Sequence, residues 1–281
     1  MTYRRKKKLT KEIVILCVVA TAIIVNSILF VSWQNAKILA EQSKLVSFTY
    51  PYPTNSYQWD HLESSGNNMS YEDATYTSAQ GIDVSEHQGD IDWKQVAGAG
   101  IDFAFIRAAY RGYGSGIFYA DDNFDANMQG ATANGIDAGI YVFSQAITVD
   151  EAAEEADYAI QSAKKYKIDL PIVFDMEGSI DGDQGRVMSI TSEKRAQMAV
   201  TFMNRVKAAG YDTMYYGSSL LLEGLFDLQY LQDYPLWLAE YDASYPNYPY
   251  MFEYWQYSST ATIPGIEGNT TDMDIRFVKK S

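Results

Sequence analysis

Leu170-Pro-Ile-Val-Phe-Asp-Met-Glu-Gly178 reads as a short buried strand that delivers two carboxylates. Ile172, Val173 and Phe174 are apolar and either β-branched or aromatic, the composition of a core strand. Asp175 and Glu177 follow at spacing i, i+2. Side chains on a strand alternate faces, so both acids point the same way, about 6–7 Å apart along the rise. A hydrophobic core does not accept two unpaired acids on one face. The pair therefore belongs to a solvent edge, to a helix cap or to a site, and the rest of the chain decides between them.

Working outward from this strand, residues from Gln80 onward alternate short apolar strands with amphipathic helices. Strands are expected at Gly81–Val84, Phe103–Ala108, Ala138–Phe143, Ile172–Phe174, Thr213–Tyr216, Leu236–Ala239, Phe252–Tyr257 and Met273–Phe277. Helices are expected at Trp93–Ala99, Asp122–Asn134, Asp150–Lys167 and Ser192–Ala209. Asp150-Glu-Ala-Ala-Glu-Glu-Ala-Asp opens with acids, as a helix N-terminus prefers. Alternation at this spacing implies parallel strands and an α/β fold, a closed or nearly closed β/α barrel. After residue 217 the helical patterns thin out, so the last third is expected to be irregular.

In a β/α barrel the chemistry gathers at the C-terminal ends of the strands. Those ends carry Asp83, then Arg107 and Tyr110, then Tyr141, then Asp175 and Glu177. Trp237 and Tyr241, Trp255 and Gln256, and Asp272 with Asp274 follow. Acids and aromatics recurring at one rim suit a carbohydrate cleft, with rings facing sugar faces and carboxylates serving hydroxyls and acid catalysis. Singly, each has a plainer reading: Asp83 as a turn cap, Trp237 as core. His87 is the domain's lone histidine and more naturally supports the Asp83 turn than a metal, so neither metal nor cofactor is expected.

The chain of 281 residues has a formal net charge of −14. Its first twelve residues hold six basic residues against Glu12, which leaves −19 on the remainder. So acidic a body argues against nucleic acid as a ligand. Ile13–Trp33 is uncharged and apolar at about the length that spans a bilayer. With Arg4–Lys8 before it, the expectation is a cytoplasmic tail at residues 1–12, a transmembrane anchor at 13–33, membrane lipid as a partner, and everything after it outside the cell. A cleaved signal is the competing reading, although no A-x-A-like site directly follows. Cys17, the only cysteine, falls in that segment, so no disulfide is available to the exported part. Residues 34–79, rich in turn-formers such as Tyr50-Pro-Tyr-Pro-Thr-Asn-Ser56, read as a stalk, with the barrel over 80–281.

Gly81-Ile-Asp-Val-Ser-Glu-His-Gln-Gly89, Asp92-Trp93, Phe103-Ala-Phe-Ile-Arg-Ala-Ala109 and Val173-Phe-Asp-Met-Glu177 together resemble glycoside hydrolase family 25. Leu236-Trp-Leu-Ala239, Trp255-Gln-Tyr-Ser258 and Met273-Asp-Ile275 are similar to its later motifs, so the resemblance runs from about Gly81 to Val278. It implies a flattened TIM-like barrel of five βα units plus three further strands. It also implies hydrolysis of the β-1,4 bond between N-acetylmuramic acid and N-acetylglucosamine in peptidoglycan. By motif, Glu177 would be the general acid and Asp175 its assistant, with Asp83 and Asp274 in the same cleft. Tyr110, Tyr141, Trp237, Tyr241, Trp255 and Gln256 would face the sugar. Tyr141-Val-Phe143 and Met273-Asp-Ile-Arg276 depart from the family's usual Tyr-His-Phe and V-D-x-N, and bear on fine specificity. The alternative is a non-catalytic peptidoglycan-binding or scaffold module, which would keep the aromatics and have no need of Glu177.

Overall fold

The computed structural model describes residues 52–178, 185–219, 222–268 and 270–280. The expected cytoplasmic tail, the apolar segment Ile13–Trp33 and residues 34–51 of the expected stalk lie outside the described residues.

Eight strands close into a barrel. β3 (Tyr76–Val84), β4 (Phe103–Arg111), β6 (Asp137–Ser144), β7 (Ile172–Met176), β8 (Thr213–Ser218), β9 (Leu236–Ala239) and β10 (Tyr254–Ala261) pair in that order, all parallel. β11 (Thr271–Lys279) fills the gap between β10 and β3 and runs antiparallel to both. β5 (Phe118–Ala120) folds back on the end of β4 as a hairpin. Outside the wall lie α1 (Trp93–Gly98), α2 (Phe124–Ala133), α3 (Val149–Ala163) and α4 (Ser192–Ala208). Three of these start where a side chain satisfies free N–H groups: Asp92 caps α1, Thr148 caps α3 and Thr191 caps α4.

The expectation of a TIM-like β/α barrel is corrected, while the transmembrane helix expected at Ile13–Trp33 lies outside the described residues. The wall is an eight-stranded β-barrel with few helices, and β11 breaks the parallel repeat. A parallel crossover needs about a dozen residues or more. The connection from Ala261 to Thr271 is shorter than that, so the chain returns antiparallel. One α-helical turn, Leu222–Leu225, and one 3-10 turn, Leu228–Tyr230, separate β8 from β9, and no helix separates β9 from β10 among the described residues. Nor is any described helix long and apolar enough to cross a membrane.

Strand alternation divides the side chains between two cores. Ile172, Phe174 and Met176 of β7 point outward into the large layer beneath the helices, while Val173 points in. Inside the barrel Val173 joins Phe103, Phe105, Met214, Trp237 and Tyr254, so the lower barrel is a packed plug. Gly81 and Gly139 sit where the rings need room. A Cβ on Gly139 would stand 2.6 Å from the Phe105 ring and 2.9 Å from Leu170 Cβ, and a Cβ on Gly81 would enter the Phe103 ring.

Residues 52–79, expected as stalk, pack onto the barrel, and the compact unit begins at Pro51. β1 (Leu62–Ser65) and β2 (Asn68–Tyr71) form a hairpin ahead of β3. Tyr57 stacks on Phe277 at 4.2 Å and donates its hydroxyl to the Phe252 carbonyl at 2.6 Å. Trp59 stacks on Tyr245 and Phe252.

Candidate active site

The inward side chains at the C-terminal ends of the parallel strands, with the start of β11, surround a cavity of about 270 Å3. Asp83 enters from β3, Arg107 from β4, Tyr141 from β6, and Asp175 and Glu177 from the end of β7. Tyr216 comes from β8, Gln256 from β10 and Asp272 from β11. Below them the plug of Phe105 and Trp237, stacked at 4.6 Å, closes the floor.

Gln256 is the hub of this rim. Its Nε2 donates to Asp83 Oδ2 at 2.6 Å and to Asp272 Oδ2 at 3.0 Å, while its Oε1 accepts from the hydroxyls of Tyr216 at 2.8 Å and Tyr241 at 2.7 Å. Donors meet acids and the acceptor meets phenols, so the amide has one workable orientation. Arg107 is tied to Asp121 at 2.8 Å and Glu86 at 3.3 Å, and its guanidinium lies over the Tyr110 ring at 4.8 Å.

Burial and mutual repulsion raise the proton affinity of these acids. Burial raises the Glu177 carboxyl above its usual range, and the charge of Asp272 raises it further. Asp175 is pushed well up by burial and by Glu177, and the positive charge of Arg107 partly offsets this. Asp83 is raised by burial, Asp272 and Asp274, against the donation from Gln256. Burial lifts Asp272 to about 6. One oxygen of Asp175, Oδ1, is buried without a hydrogen-bond partner among the described residues.

Of the residues expected from sequence, Asp83, Asp175, Glu177, Tyr141, Trp237, Tyr241 and Gln256 line this one cavity. Asp274 lies a layer deeper, fully buried, taking the Trp237 indole N–H at 2.8 Å. Burial raises its carboxyl strongly. Tyr110 stands outside the cavity, in a neighbouring groove shared with His87, Arg107 and Phe143, and stacks on Tyr119 at 5.2 Å. Trp255 is fully buried in the outer core, its indole N–H given to the Glu240 carbonyl at 2.9 Å, so the structure does not bring it to the cleft. Tyr216 is not among the expected site residues, and Arg107 and Asp272 are expected at the rim without an assigned role. Asp272 shares a strand face with Asp274 by simple alternation, which was the available signal. Among the described residues no group of three or more His, Cys, Asp or Glu is arranged to hold a metal ion.

A model of glycosyl hydrolases family 25 matches residues 82–266. Lysozyme M1 of Streptomyces globisporus is 32% identical over 206 residues, taking in 70% of this chain and 67% of that protein. The crystal structure of the bacterial lysozyme from Streptomyces coelicolor superposes with a TM-score of 0.57 at 28% identity, over 75% of this chain and 92% of that one. The modular autolysin LytC of Streptococcus pneumoniae, solved in complex with a synthetic peptidoglycan ligand, gives a TM-score of 0.60 at 25% identity. That match covers 70% of this chain but only 46% of the autolysin, so the chain spans about half of its length. On the matched span and the identity to Lysozyme M1, the chain belongs to glycosyl hydrolases family 25.

Proposed function

We propose that this chain is a peptidoglycan muramidase, hydrolysing the β-1,4 bond between N-acetylmuramic acid and N-acetylglucosamine. The observation that carries the reading is Asp175 and Glu177 on one rim of the cavity, with the Glu177 carboxyl raised above its usual range by burial and by Asp272. A general acid at near-neutral pH needs that condition. Family membership supports glycosidase chemistry, and the likeness to an autolysin solved with a peptidoglycan ligand supports the polymer.

Glu177 gives its proton to the glycosidic oxygen as that oxygen leaves the anomeric carbon. Asp175 accepts the N–H of the 2-acetamido group, through an oxygen that has no hydrogen-bond partner among the described residues, and so turns the acetamido oxygen toward the anomeric carbon. That oxygen forms the new bond in a substrate-assisted route. Glu177, now a carboxylate, then takes a proton from the water that attacks the same carbon and opens the ring. Asp83, Asp272 and Gln256 form the opposing wall and hold the sugar between them.

Glu177→Gln tests the assignment, because the amide keeps the shape and cannot deliver the proton. Turnover of defined muropeptide chains should fall by about 10²–10⁴-fold while glycan binding persists. Near-parental turnover would move the acid elsewhere. A parent chain that binds glycan and releases no product would favour the scaffold reading.

For localisation, the basic cluster Arg4–Lys8 ahead of Ile13–Trp33 supports attachment to the cell membrane with the barrel outside. Full-length chain should sediment with membranes and resist extraction by high salt. Recovery from the medium of a chain beginning after Trp33 would overturn this.

A further inference from the structure

Glu177 lies one residue beyond β7, whose last ladder pairs are Met176 with Ser144 and Asp175 with Tyr216. The sheet therefore stops short of the residue that most needs an exact position. Gln145, the first residue after β6, reaches across at this point. It is fully buried, and its Nε2 donates to the Glu177 carbonyl at 2.7 Å. Its Oε1 accepts from the Val187 backbone N–H at 3.4 Å. One side chain thus grips the backbone on both sides of the stretch between Gly178 and Gly185.

The surroundings leave this amide little freedom. Gly185 has φ +69, and a Cβ there would stand 2.8 Å from Gln145 Oε1. The next residue, Arg186, bonds the Tyr113 carbonyl through its N–H at 3.1 Å. It also pairs with Glu151 at 2.8 Å. With a carbonyl at one end and an N–H at the other, the amide can take only one orientation. A fully buried amide whose two ends are both used is set in place rather than tolerated.

We infer that Gln145 is a positioning residue for the hydrolysis: its side chain supplies the hydrogen bond that the β6–β7 ladder does not extend to residue 177, and so fixes where the Glu177 carboxyl stands over the cavity. This rests on the reading of Glu177 as the general acid. Displacing a catalytic group by about 1 Å costs about 10²-fold in rate, because the proton no longer lies in line with the leaving oxygen. The carboxyl of Glu177 shares the cavity with Asp175 on its own strand end and with Asp83, Asp272, Arg107, His87 and the phenols of Tyr216 and Tyr241. Released toward water, it would be less desolvated and farther from Asp272, and would lose its proton more easily.

Gln145→Met keeps the length and the burial but has neither the amide donor nor the amide acceptor. In this variant kcat should fall by about 10²-fold with KM on defined muropeptide chains little changed. The alkaline limb of the kcat profile should move to lower pH. Thermal denaturation establishes that the variant is folded. If it is not, Gln145→Asn, one methylene too short to reach both partners, should show the same kinetic signature. Unchanged kcat and pH profile in a folded variant, with Glu177→Gln inactive, would sink the role of Gln145 alone. So would an apparent kcat lowered only in proportion to lost folded protein, with the pH profile unchanged. Retained turnover in Glu177→Gln would instead sink the assignment beneath it.

Discussion

Asp83 and Asp272 share the Nε2 of Gln256, which donates to both carboxyls. The consequence for stability has a definite sign. Burial raises the Asp272 carboxyl from 3.8 to about 6, so the folded chain binds that proton more tightly than the unfolded chain does. The associated stability is full below 3.8 and is lost as the pH rises to about 6. Asp272→Asn removes the ionisation while its amide oxygen still accepts from Gln256. The variant should therefore melt at a higher temperature than the parent near neutral pH and at the same temperature in acid below 3.8. Thermal scans of both proteins across that range check it. An equal difference at both ends would point to packing instead of charge. At this scale the sequence reading reached Asp83, Asp175 and Glu177 because each ends a recognisable apolar strand. It set Asp272 beside Asp274 at the rim but gave the catalytic place to Asp274, because alternation puts both on one face and does not say which is nearer the cavity.

At the scale of elements, the direction of β11 is what local pattern cannot carry. A strand's own residues look alike whichever way it runs, and only the short return from Ala261 to Thr271 forces the antiparallel choice. Direction decides depth: β11 enters from the rim, so Asp272 meets the cavity and Asp274 lies beneath it against Trp237. Face is decided in the same way on β10. Tyr254 and Gln256 point into the barrel, so Trp255 between them must point out, and its indole ends against the Glu240 carbonyl. An aromatic next to a site residue on a strand is on the wrong face for that site. Helix starts were easier, since Asp92, Thr148 and Thr191 act through neighbours two or three residues away. The clamp from Gln145 to the Glu177 carbonyl spans 32 positions and leaves no local trace.

For the whole molecule, the catalytic unit is larger than its motifs. Residues 52–79 look like linker, because Pro53, three asparagines and Gly66 signal turns. Their partners lie about two hundred positions away: Tyr57 bonds the Phe252 carbonyl, and Asn55 donates to the carbonyls of Tyr248 and Tyr250. The hairpin is joined to the site as well. Gln80 accepts from the Met69 N–H on one side, while its own amide donates to the Tyr257 hydroxyl and to the backbone carbonyl of Asp274. A chain begun at residue 80 would strip Tyr57, Trp59 and Tyr71 from Phe252 and Phe277 and leave those rings in water. Tyr57 and Tyr71 are buried and Trp59 half-buried; losing one buried aromatic costs about 3–5 kcal/mol, so losing the two with Trp59 should bring the barrel close to its limit of stability. A chain begun at residue 52 should unfold in urea at a clearly higher midpoint than one begun at residue 80. Turnover of the shorter chain should fall as temperature rises well before that of the longer one. Coincident urea midpoints would mean that the hairpin and its rings rest on a barrel that does not need them.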